Sequence, residues 1–353
     1  ALRGRSAELQ RQVRGRAWER EGSASAAGSV VGVGELCAEL RAQGTAFVGY
    51  VQHGGRWLAV LVRGRGAQVI SLDSAREVDE LVRRVRADLD ALAMPRLPGS
   101  LRHAVEQSLG IGLALLDEML LAPLHVEGVP LVVSPSGPLV VLPWSLLASR
   151  RALPVVVASG ATAWTRSRAR TRAEGPPTVA VVAGPGLHRA EDEASRVHDT
   201  WAGSSLLAGD QATTGRVGRA LAEADVVHVA AHGRHQAESP LFSSIRLADG
   251  PLYAYELDAE SRLAGCVVLS ACEAGLSTVG PGEEGLGLTS VLLHLGAQSV
   301  LAGVANVRDD VAAEVMEHAH RSMARGVDSA AALASAQAQC AAPAPFVCFG
   351  AAW

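Results

Sequence analysis

The chain has 353 residues, of which 48% are hydrophobic and only 4% aromatic, so valine, leucine and alanine must build most of the core. Its formal net charge of −4 at pH 7 argues against a general nucleic-acid-binding protein. No apolar run approaches the roughly 20 residues that cross a bilayer, and the polar, Arg-rich opening does not resemble a secretory signal. We therefore expect a cytoplasmic protein with no nucleic-acid or membrane partner, whose five cysteines are thiols.

The first half of the chain is predicted to form a smaller α/β supporting domain. Residues 1–28 read as a polar helical segment and linker, as in the remnant of an upstream repeat region. Within residues 29–159, three strands are expected from Ala46 to Leu72, followed by two helices and a hairpin that turns at Ser136 and Gly137.

The second half shows a more regular alternation. Residues 160–177 include an Arg-rich stretch that ends in two prolines, which predicts a linker. Over residues 178–353, buried strands alternate with helices, which is typical of a mostly parallel sheet with helices on both faces. Such sheets place their sites beyond the carboxyl ends of the strands.

Two of these predicted strands end at reactive side chains. The segment "DVVHVAAHG" brings His232 to a strand end, and "GCVVLSAC" does the same for Cys272. If the strands are neighbours, His232 can remove the proton from the Cys272 thiol and later protonate a leaving amine. The backbone N–H groups of Gly233 and Cys272 are the natural donors to an oxyanion. The pattern therefore predicts a Cys–His dyad for acyl transfer.

Plainer interpretations compete with this prediction. Most free cysteines are buried packing residues, and we assign that role to Cys37, Cys266, Cys340 and Cys348. A metal site at His228, His232 and His235 is disfavoured because no Cys-x-x-Cys supplies further ligands. We expect no metal and no other cofactor, and we expect His228 to be a hydrogen-bonded core histidine or a residue that steadies the sheet edge.

The blocks "ADVVHVAAHG", "SPLFSSIRL", "VVLSACEAG" and "GEEGLGLTSVLLHLGAQSVLAGVANVRDD" resemble the CHAT domain, a caspase-like cysteine peptidase module often fused to tetratricopeptide repeats. The resemblance extends from about Ala46 to Trp353 and implies a caspase-like fold within the caspase, legumain and separase clan. For the N-terminal supporting domain it leaves two interpretations open: an inactive, pseudo-caspase domain, or an ordinary N-terminal subdomain. It implies His232 as catalytic base and Cys272 as nucleophile. One departure concerns pocket shape, because Ala305 occupies a position where this family commonly has tryptophan.

The resemblance also implies a function and its partners. It implies a cysteine endopeptidase that cleaves a protein or peptide, such as a gasdermin-like or other effector, in bacterial defence or cell death. Family members are often regulated by attached repeats or by a partner. The alternative is a catalytically silent, caspase-like scaffold or signalling adaptor.

The substrate pocket is predicted to be acidic. The resemblance to caspase-like folds implies that three segments line the pocket: "GPGLHRAEDE", "SACEAG" and "ANVRDD". They carry six carboxylates against two arginines, which favours a basic side chain before the scissile bond: Glu191, Asp192, Glu193, Glu273, Asp309 and Asp310 against Arg189 and Arg308. Among them, Asp309 and Asp310 are the candidates for the pocket floor, with Asp192 and Glu273 beside them. An alternative role for Asp309, Asp310 and Glu273 is that of solvated carboxylates at helix N-termini.

Overall fold

A sheet of eleven strands runs through the computed structural model of the chain. The structure describes residues 30–169, 175–187, 189–234, 242–257, 263–270, 278–279, 285–286 and 288–353. The predicted segment at residues 1–28 lies outside this part of the chain. Residues Val33–Trp353 pack as one unit.

The strands of the large sheet are β1 (Ala46–His53), β2 (Arg56–Arg63), β3 (Gly66–Ser74), β4 (Leu131–Ser134), β5 (Val155–Val157), β6 (Val179–Ala183), β7 (Ser205–Leu207), β8 (Val226–Ala230), β12 (Cys266–Leu269), β15 (Ser299–Gly303) and β16 (Phe346–Gly350). They lie side by side in the order β3-β2-β1-β4-β5-β16-β15-β12-β8-β6-β7. Short strands outside it are β9 (Gly233–Arg234), β10 (Ser244–Leu247), β11 (Gly250–Tyr253), β13 (Thr278–Val279) and β14 (Gly285–Leu286).

The described ranges contain α-helices that, from β5 onward, mostly alternate with the strands of the large sheet. They are α1 (Val33–Gln43), α2 (Ala75–Leu92), α3 (Gly99–Leu120), α4 (Ala161–Arg168), α5 (Ala190–Thr200), α6 (Thr214–Glu223), α7 (Leu288–His294), α8 (Asp309–Met323) and α9 (Ser329–Gln339). The fold is therefore mixed α/β, as the sequence predicted.

Most neighbouring strands of the large sheet are parallel. The exceptions are the β1–β2 and β2–β3 pairs and the β15–β16 pair, which are antiparallel. Every residue of β6, β8, β12 and β15 is buried, so both faces of the sheet are covered there.

The N-terminal half confirms the three predicted strands, which form an antiparallel meander with turns at the two predicted glycine positions. The hairpin predicted around Ser136 and Gly137 is wrong. β4 lies between β1 and β5 and is parallel to both, so it has no hairpin partner. Residues Gly137–Val141 instead form a 3-10 helix that begins with Gly137 at a φ of 54° and a proline.

The predicted linker at residues 160–177 contains a helix. Trp164 is buried in the middle of α4, and Arg168 forms an ion pair with Glu39 of α1 at 3.0 Å. The buried Trp164 and this ion pair hold the helix against the rest of the fold, and arginine itself favours helix. β5 pairs with β16, so the two predicted halves of the chain contribute strands to one continuous sheet.

The described residues contain one segment, Gly99–Leu124, that is long and apolar enough by composition to cross a membrane. This signal alone is weak, because core helices of globular domains meet the same criteria. α3 packs along α2. It also carries Asp117, whose carboxylate accepts hydrogen bonds from the backbone N–H and hydroxyl of Ser149 at 2.7 and 2.6 Å.

Candidate active site

The strands that precede the two predicted catalytic residues are neighbours. β8 and β12 are parallel, with Val229 opposite Leu269, and β15 continues the row with Ala302 opposite Leu269. The carboxyl ends of all three strands therefore meet at one edge, which we call the catalytic edge. Beyond the strand, the backbone N–H of Ser270 still donates to the carbonyl of Val229 at 3.0 Å.

The sequence positions of the predicted dyad match this register. His232 lies three residues after Val229, and Cys272 lies three residues after Leu269, which is paired with Val229 in the sheet. His232 is in the described part of the chain, where it is exposed at the catalytic edge. Cys272 and Glu273 lie outside the described residues.

The orientation of His232 is set by a backbone carbonyl. Its Nε2 lies 3.2 Å from the carbonyl oxygen of Gly186, in the loop that follows β6. A carbonyl only accepts hydrogen bonds, so Nε2 must carry the proton, and Nδ1 is the basic nitrogen of the neutral ring. Gly186 has a φ of 84°, a left-handed conformation that side chains other than glycine adopt at a cost.

The Gly186 carbonyl was not predicted from the sequence. Gly186 lies 46 residues before His232, and a backbone acceptor has no residue-type signature. The only indication of this loop in the sequence is the pair of glycines in "GPGLHR", Gly184 and Gly186, which is typical of a tight loop after a strand.

Gly233 follows His232 at the start of β9. It pairs with Ile245 of β10, while the adjacent hydrogen bond joins the N–H of Arg246 to the carbonyl of His232 at 2.8 Å. Because consecutive residues of a strand direct their N–H groups to opposite sides, the N–H of Gly233 points away from β10. This orientation leaves the N–H of Gly233 outside the β9–β10 hydrogen bonds, as the predicted role of oxyanion donor requires.

A buried polar network lies behind β8. His228 and His320 are fully buried, and Nε2 of His320 lies 3.1 Å from Nδ1 of His228. Trp201 donates its indole N–H to Nδ1 of His320 at 3.0 Å. Nε2 of His228 in turn lies 3.1 Å from Oε1 of Glu193, at an angle outside that of a well-aligned hydrogen bond.

The direction of this network follows from Trp201. The indole can only donate, so Nδ1 of His320 is an acceptor and its Nε2 carries the proton of the neutral ring. That proton is donated to Nδ1 of His228, so the N–H of the neutral His228 ring is at Nε2 and faces the carboxylate of Glu193. Burial, and next the neighbouring His228, lower the pKa of His320 well below its usual value. His228 is thus a hydrogen-bonded core histidine.

One residue of the predicted acidic pocket, Glu193, is buried instead of lying at the surface. Glu193 is only 5% exposed and faces His228, so it does not belong to a surface field that a substrate would meet. Asp192 is exposed in the first turn of α5, where it is adjacent in sequence to the buried Glu193.

Asp309 and Asp310 lie in the first turn of α8, directly after the catalytic edge. Arg308 binds both carboxylate oxygens of Asp310 through its Nε and a terminal nitrogen. Burial raises the pKa of Asp310, but the hydrogen bonds and charge of Arg308 outweigh this effect, so the pKa lies below its usual value. Both side chains of the pair are about 40% exposed, at 43% and 40%.

The other four cysteines differ in exposure and acidity. Cys37, Cys266 and Cys348 are buried, and Cys340 is half-buried. Burial raises the pKa of Cys266 strongly, that of Cys340 to about 12 and that of Cys348 to about 11. Within the described ranges, no group of three or more His, Cys, Asp or Glu side chains could hold a metal ion.

Comparison with known proteins gives the class first and then the family. Two crystal structures of the Saccharomyces cerevisiae separase–securin complex, at 3.0 and 2.6 Å resolution, have the same caspase-like α/β fold, with TM-scores of 0.67 and 0.63. The sequence identities are 10% and 11%, over 91% and 90% of this chain. The aligned regions are only 30% and 31% of those chains, so this chain spans about a third of their length.

The model of the CHAT domain family matches residues 112–346, which is well over half of the sequence. The chain therefore belongs to the CHAT domain family, and the resemblance seen in the sequence is confirmed. No curated protein matches the chain significantly.

Proposed function

We propose that this chain is a cysteine endopeptidase in which Cys272 is the nucleophile and His232 is the base. The observation that carries the proposal is the shared register of β8 and β12, which brings the residues before both side chains to one edge. Ser270 is hydrogen-bonded to Val229, and two residues of extended chain reach at most about 7 Å. The proposal therefore expects Cys272, two residues beyond Ser270, near the edge where His232 is exposed.

The described geometry supports a specific sequence of proton transfers. Nδ1 of His232 takes the thiol proton of Cys272, and the resulting imidazolium keeps its Nε2–H on the carbonyl of Gly186. The thiolate attacks the carbonyl carbon of the scissile peptide bond, and the N–H groups of Gly233 and Cys272 stabilise the oxyanion. His232 then gives its Nδ1 proton to the leaving amine, which breaks the C–N bond and leaves a thioester.

Hydrolysis of the thioester reverses the roles. A water molecule loses a proton to Nδ1 of His232 while its oxygen attacks the thioester carbon, and Cys272 leaves as thiolate. The thiolate recovers the proton from His232, so the cycle consumes one water for each peptide bond and needs no cofactor.

The proposed substrate is a protein or peptide, with a gasdermin-like or other effector as one class suggested by the family. Regulation by an attached repeat region or a partner protein is part of the proposal, together with a cytoplasmic setting. Both separase structures contain separase in complex with securin, which supports a protein partner as part of the proposal.

The alternative function is a catalytically silent scaffold. A scaffold would need neither the Nε2–H to Gly186 contact nor the outward direction of the Gly233 N–H. Both features favour the enzyme.

The test uses a fluorogenic peptide library with the wild-type chain and with Cys272→Ala and His232→Ala. Each variant should lose nearly all cleavage while unfolding at the wild-type temperature, and the double variant should lose little more, since a dyad acts as a unit. Cys340→Ala, which removes a half-buried thiol elsewhere, is the matched control and should retain activity. Cleavage by Cys272→Ala at the wild-type rate would refute the proposal.

A further inference from the structure

One carboxylate of the N-terminal half contacts a loop at the catalytic edge. Oδ1 of Asp90, near the end of α2, accepts a hydrogen bond from the backbone N–H of Asn306 at 3.0 Å and another from its side-chain amide at 3.0 Å. The two residues are 216 positions apart in the sequence. Asn306 belongs to the segment 304–308, which connects β15 to α8 and which we call the β15–α8 loop.

The amphipathic pattern of α2 places Asp90 beside the core rather than in open solvent. The buried residues of this helix recur at helical spacing and form one apolar stripe: Ala75, Val78, Val82, Val85, Leu89 and Leu92. Asp90 follows Leu89 directly and is half-buried. A partly buried carboxylate that receives two N–H donors is firmly held, because hydrogen bonds to an ionised acceptor are stronger than those between neutral groups.

The β15–α8 loop borders the candidate active site. β15 is the direct neighbour of β12, with Ala302 opposite Leu269, so the loop leaves the sheet at the catalytic edge. At its start, the N–H of Val304 donates to the carbonyl of Pro345 at 2.9 Å, and Ala305 and Val307 are buried. Asp90 binds the residue between these two apolar anchors.

The end of the loop carries the charged residues that face outward. Arg308 and its partner Asp310 begin α8 at the same edge, only two and four residues after Asn306. Because so few residues separate them, a displacement of Asn306 would also displace Arg308 and Asp310.

We propose that Asp90 is a positioning residue that holds the β15–α8 loop in its substrate-binding conformation. The α2–α3 layer of the N-terminal half then controls how tightly the site binds its substrate. This inference rests on the proposed peptidase function for its catalytic consequence. Its structural part, the positioning of the loop, does not depend on activity.

The experiment compares Asp90→Ala with Asp88→Ala in the full chain. Asp88 lies on the same helix and also accepts a hydrogen bond, from the hydroxyl of Ser108 on α3 at 2.6 Å, but it does not bond to the loop in the described contacts. Asp88→Ala therefore also removes a carboxylate and a hydrogen bond between two elements of the fold, but it leaves the bonds to the loop in place, so it is the matched control. Asp90→Asn keeps an oxygen acceptor and is the conservative variant, which also serves if Asp90→Ala fails to fold.

The first measurement is amide hydrogen exchange over residues 304–312. Asp90→Ala should raise the exchange rate of this segment about tenfold, which corresponds to about 1.4 kcal/mol of lost local stability. Asp88→Ala should leave it at the wild-type rate, and Asp90→Asn should fall between. Wild-type exchange in Asp90→Ala would overturn the inference, whatever the activity.

The second measurement is kinetic and uses the best peptide from the library. Asp90→Ala should raise KM about tenfold while kcat stays within about twofold, since the loop binds substrate and carries no reacting group. An unchanged KM with increased loop exchange would overturn the link to substrate binding. If no variant and no wild-type sample cleaves any peptide, the proposed function fails, and with it this link, but the exchange result still decides whether Asp90 positions the loop.

Discussion

Nε2 of His320 donates a hydrogen bond to Nδ1 of His228 over 3.1 Å, and both histidine side chains are fully buried. The rings meet edge to face, with centroids 4.9 Å apart. The pair connects α8 to β8, and through Glu193 it also connects β8 to α5. Since α5 follows the loop that contains Gly186, the network supports the segment on which His232 depends.

The first prediction concerns the pH dependence of stability. The pKa of His320 is lowered by burial in the folded chain, whereas in the unfolded chain it titrates near 6.5. The unfolded state therefore binds more protons below that pH, and the free energy of unfolding should fall as the pH drops from about 6.5 toward 5. Urea unfolding at several pH values measures this slope.

The control for this prediction is on the same helix. His320→Gln keeps an amide donor toward His228 but cannot take up a proton, so it should flatten the slope. His318→Gln removes a histidine two residues away, outside the buried network, and should leave the slope close to wild type. An equal slope in wild type and His320→Gln would contradict the assignment of the buried neutral histidine.

The second prediction tests the close approach of the Gly186 loop to β8. A Cβ on Gly184 would lie 2.5 Å from Cβ of Ala231 and 2.8 Å from the carbonyl oxygen of Arg246. Gly184→Ala should therefore destabilise the fold by roughly 1–3 kcal/mol. It should also lower kcat, because the displaced loop carries the acceptor for His232.

Gly218→Ala is the matched control for that variant. Gly218 lies inside α6, and apart from its chain neighbours and the nearby backbone of that helix no described atom lies within 4 Å of the position of its added Cβ. The change should stabilise the chain by roughly 0.5–1 kcal/mol and leave kcat at its wild-type value. Destabilisation by both substitutions to the same extent would show that the contact at Ala231 is not the cause.

The third prediction concerns thiol reactivity. At mildly acidic pH, iodoacetamide should label Cys272 first, because a thiolate paired with His232 is the reactive form. Cys266 and Cys348 are buried thiols with raised pKa values, and burial raises the pKa of Cys340 to about 12. Mass spectrometry of labelled peptides identifies the site, and the fast phase should vanish in Cys272→Ala. Uniformly slow labelling of all five thiols would favour the scaffold.

The sequence predicts the catalytic edge because its signals are local. An apolar run that stops at a polar residue marks a strand end, and regular alternation with helices implies parallel strands whose carboxyl ends lie at one edge. That β8 and β12 are neighbours was only a condition of the prediction, and their pairing in the sheet shows it. The hairpin at Ser136 was wrong because the same pattern of apolar runs and a Ser-Gly turn does not show which strands flank β4.

Contacts between distant elements leave no such pattern. Glu193 looks like any acidic residue in the first turn of a helix, a position where carboxylates are common, and only its packing on His228 shows that it is buried. Asp90 lies in a charged, amphipathic helix that suggests a solvated face. Its partner Asn306 is 216 residues away, so no spacing rule connects them.

The last prediction concerns the residue accepted before the scissile bond. We expect a basic side chain, arginine above lysine, because a carboxylate pairs with both prongs of a guanidinium. The structure refines this expectation through Arg308, which already occupies Asp310 in that two-pronged manner. An incoming arginine must compete with Arg308 for Asp310, whereas Asp309 is half-buried beside the pair.

Three variants separate these contributions in a positional-scanning peptide library. Asp309→Ala should reduce the preference for arginine several-fold, on the order of the 0.2–1 kcal/mol of an exposed ion pair. Arg308→Ala should increase it, because Asp310 is then available to the substrate. Asp192→Ala removes an exposed carboxylate in the first turn of α5 and tests whether the effect extends beyond α8. Selection of aspartate or of a large apolar residue by the wild-type chain would refute the prediction, and so would unchanged selectivity in the combined Asp309→Ala, Asp310→Ala variant.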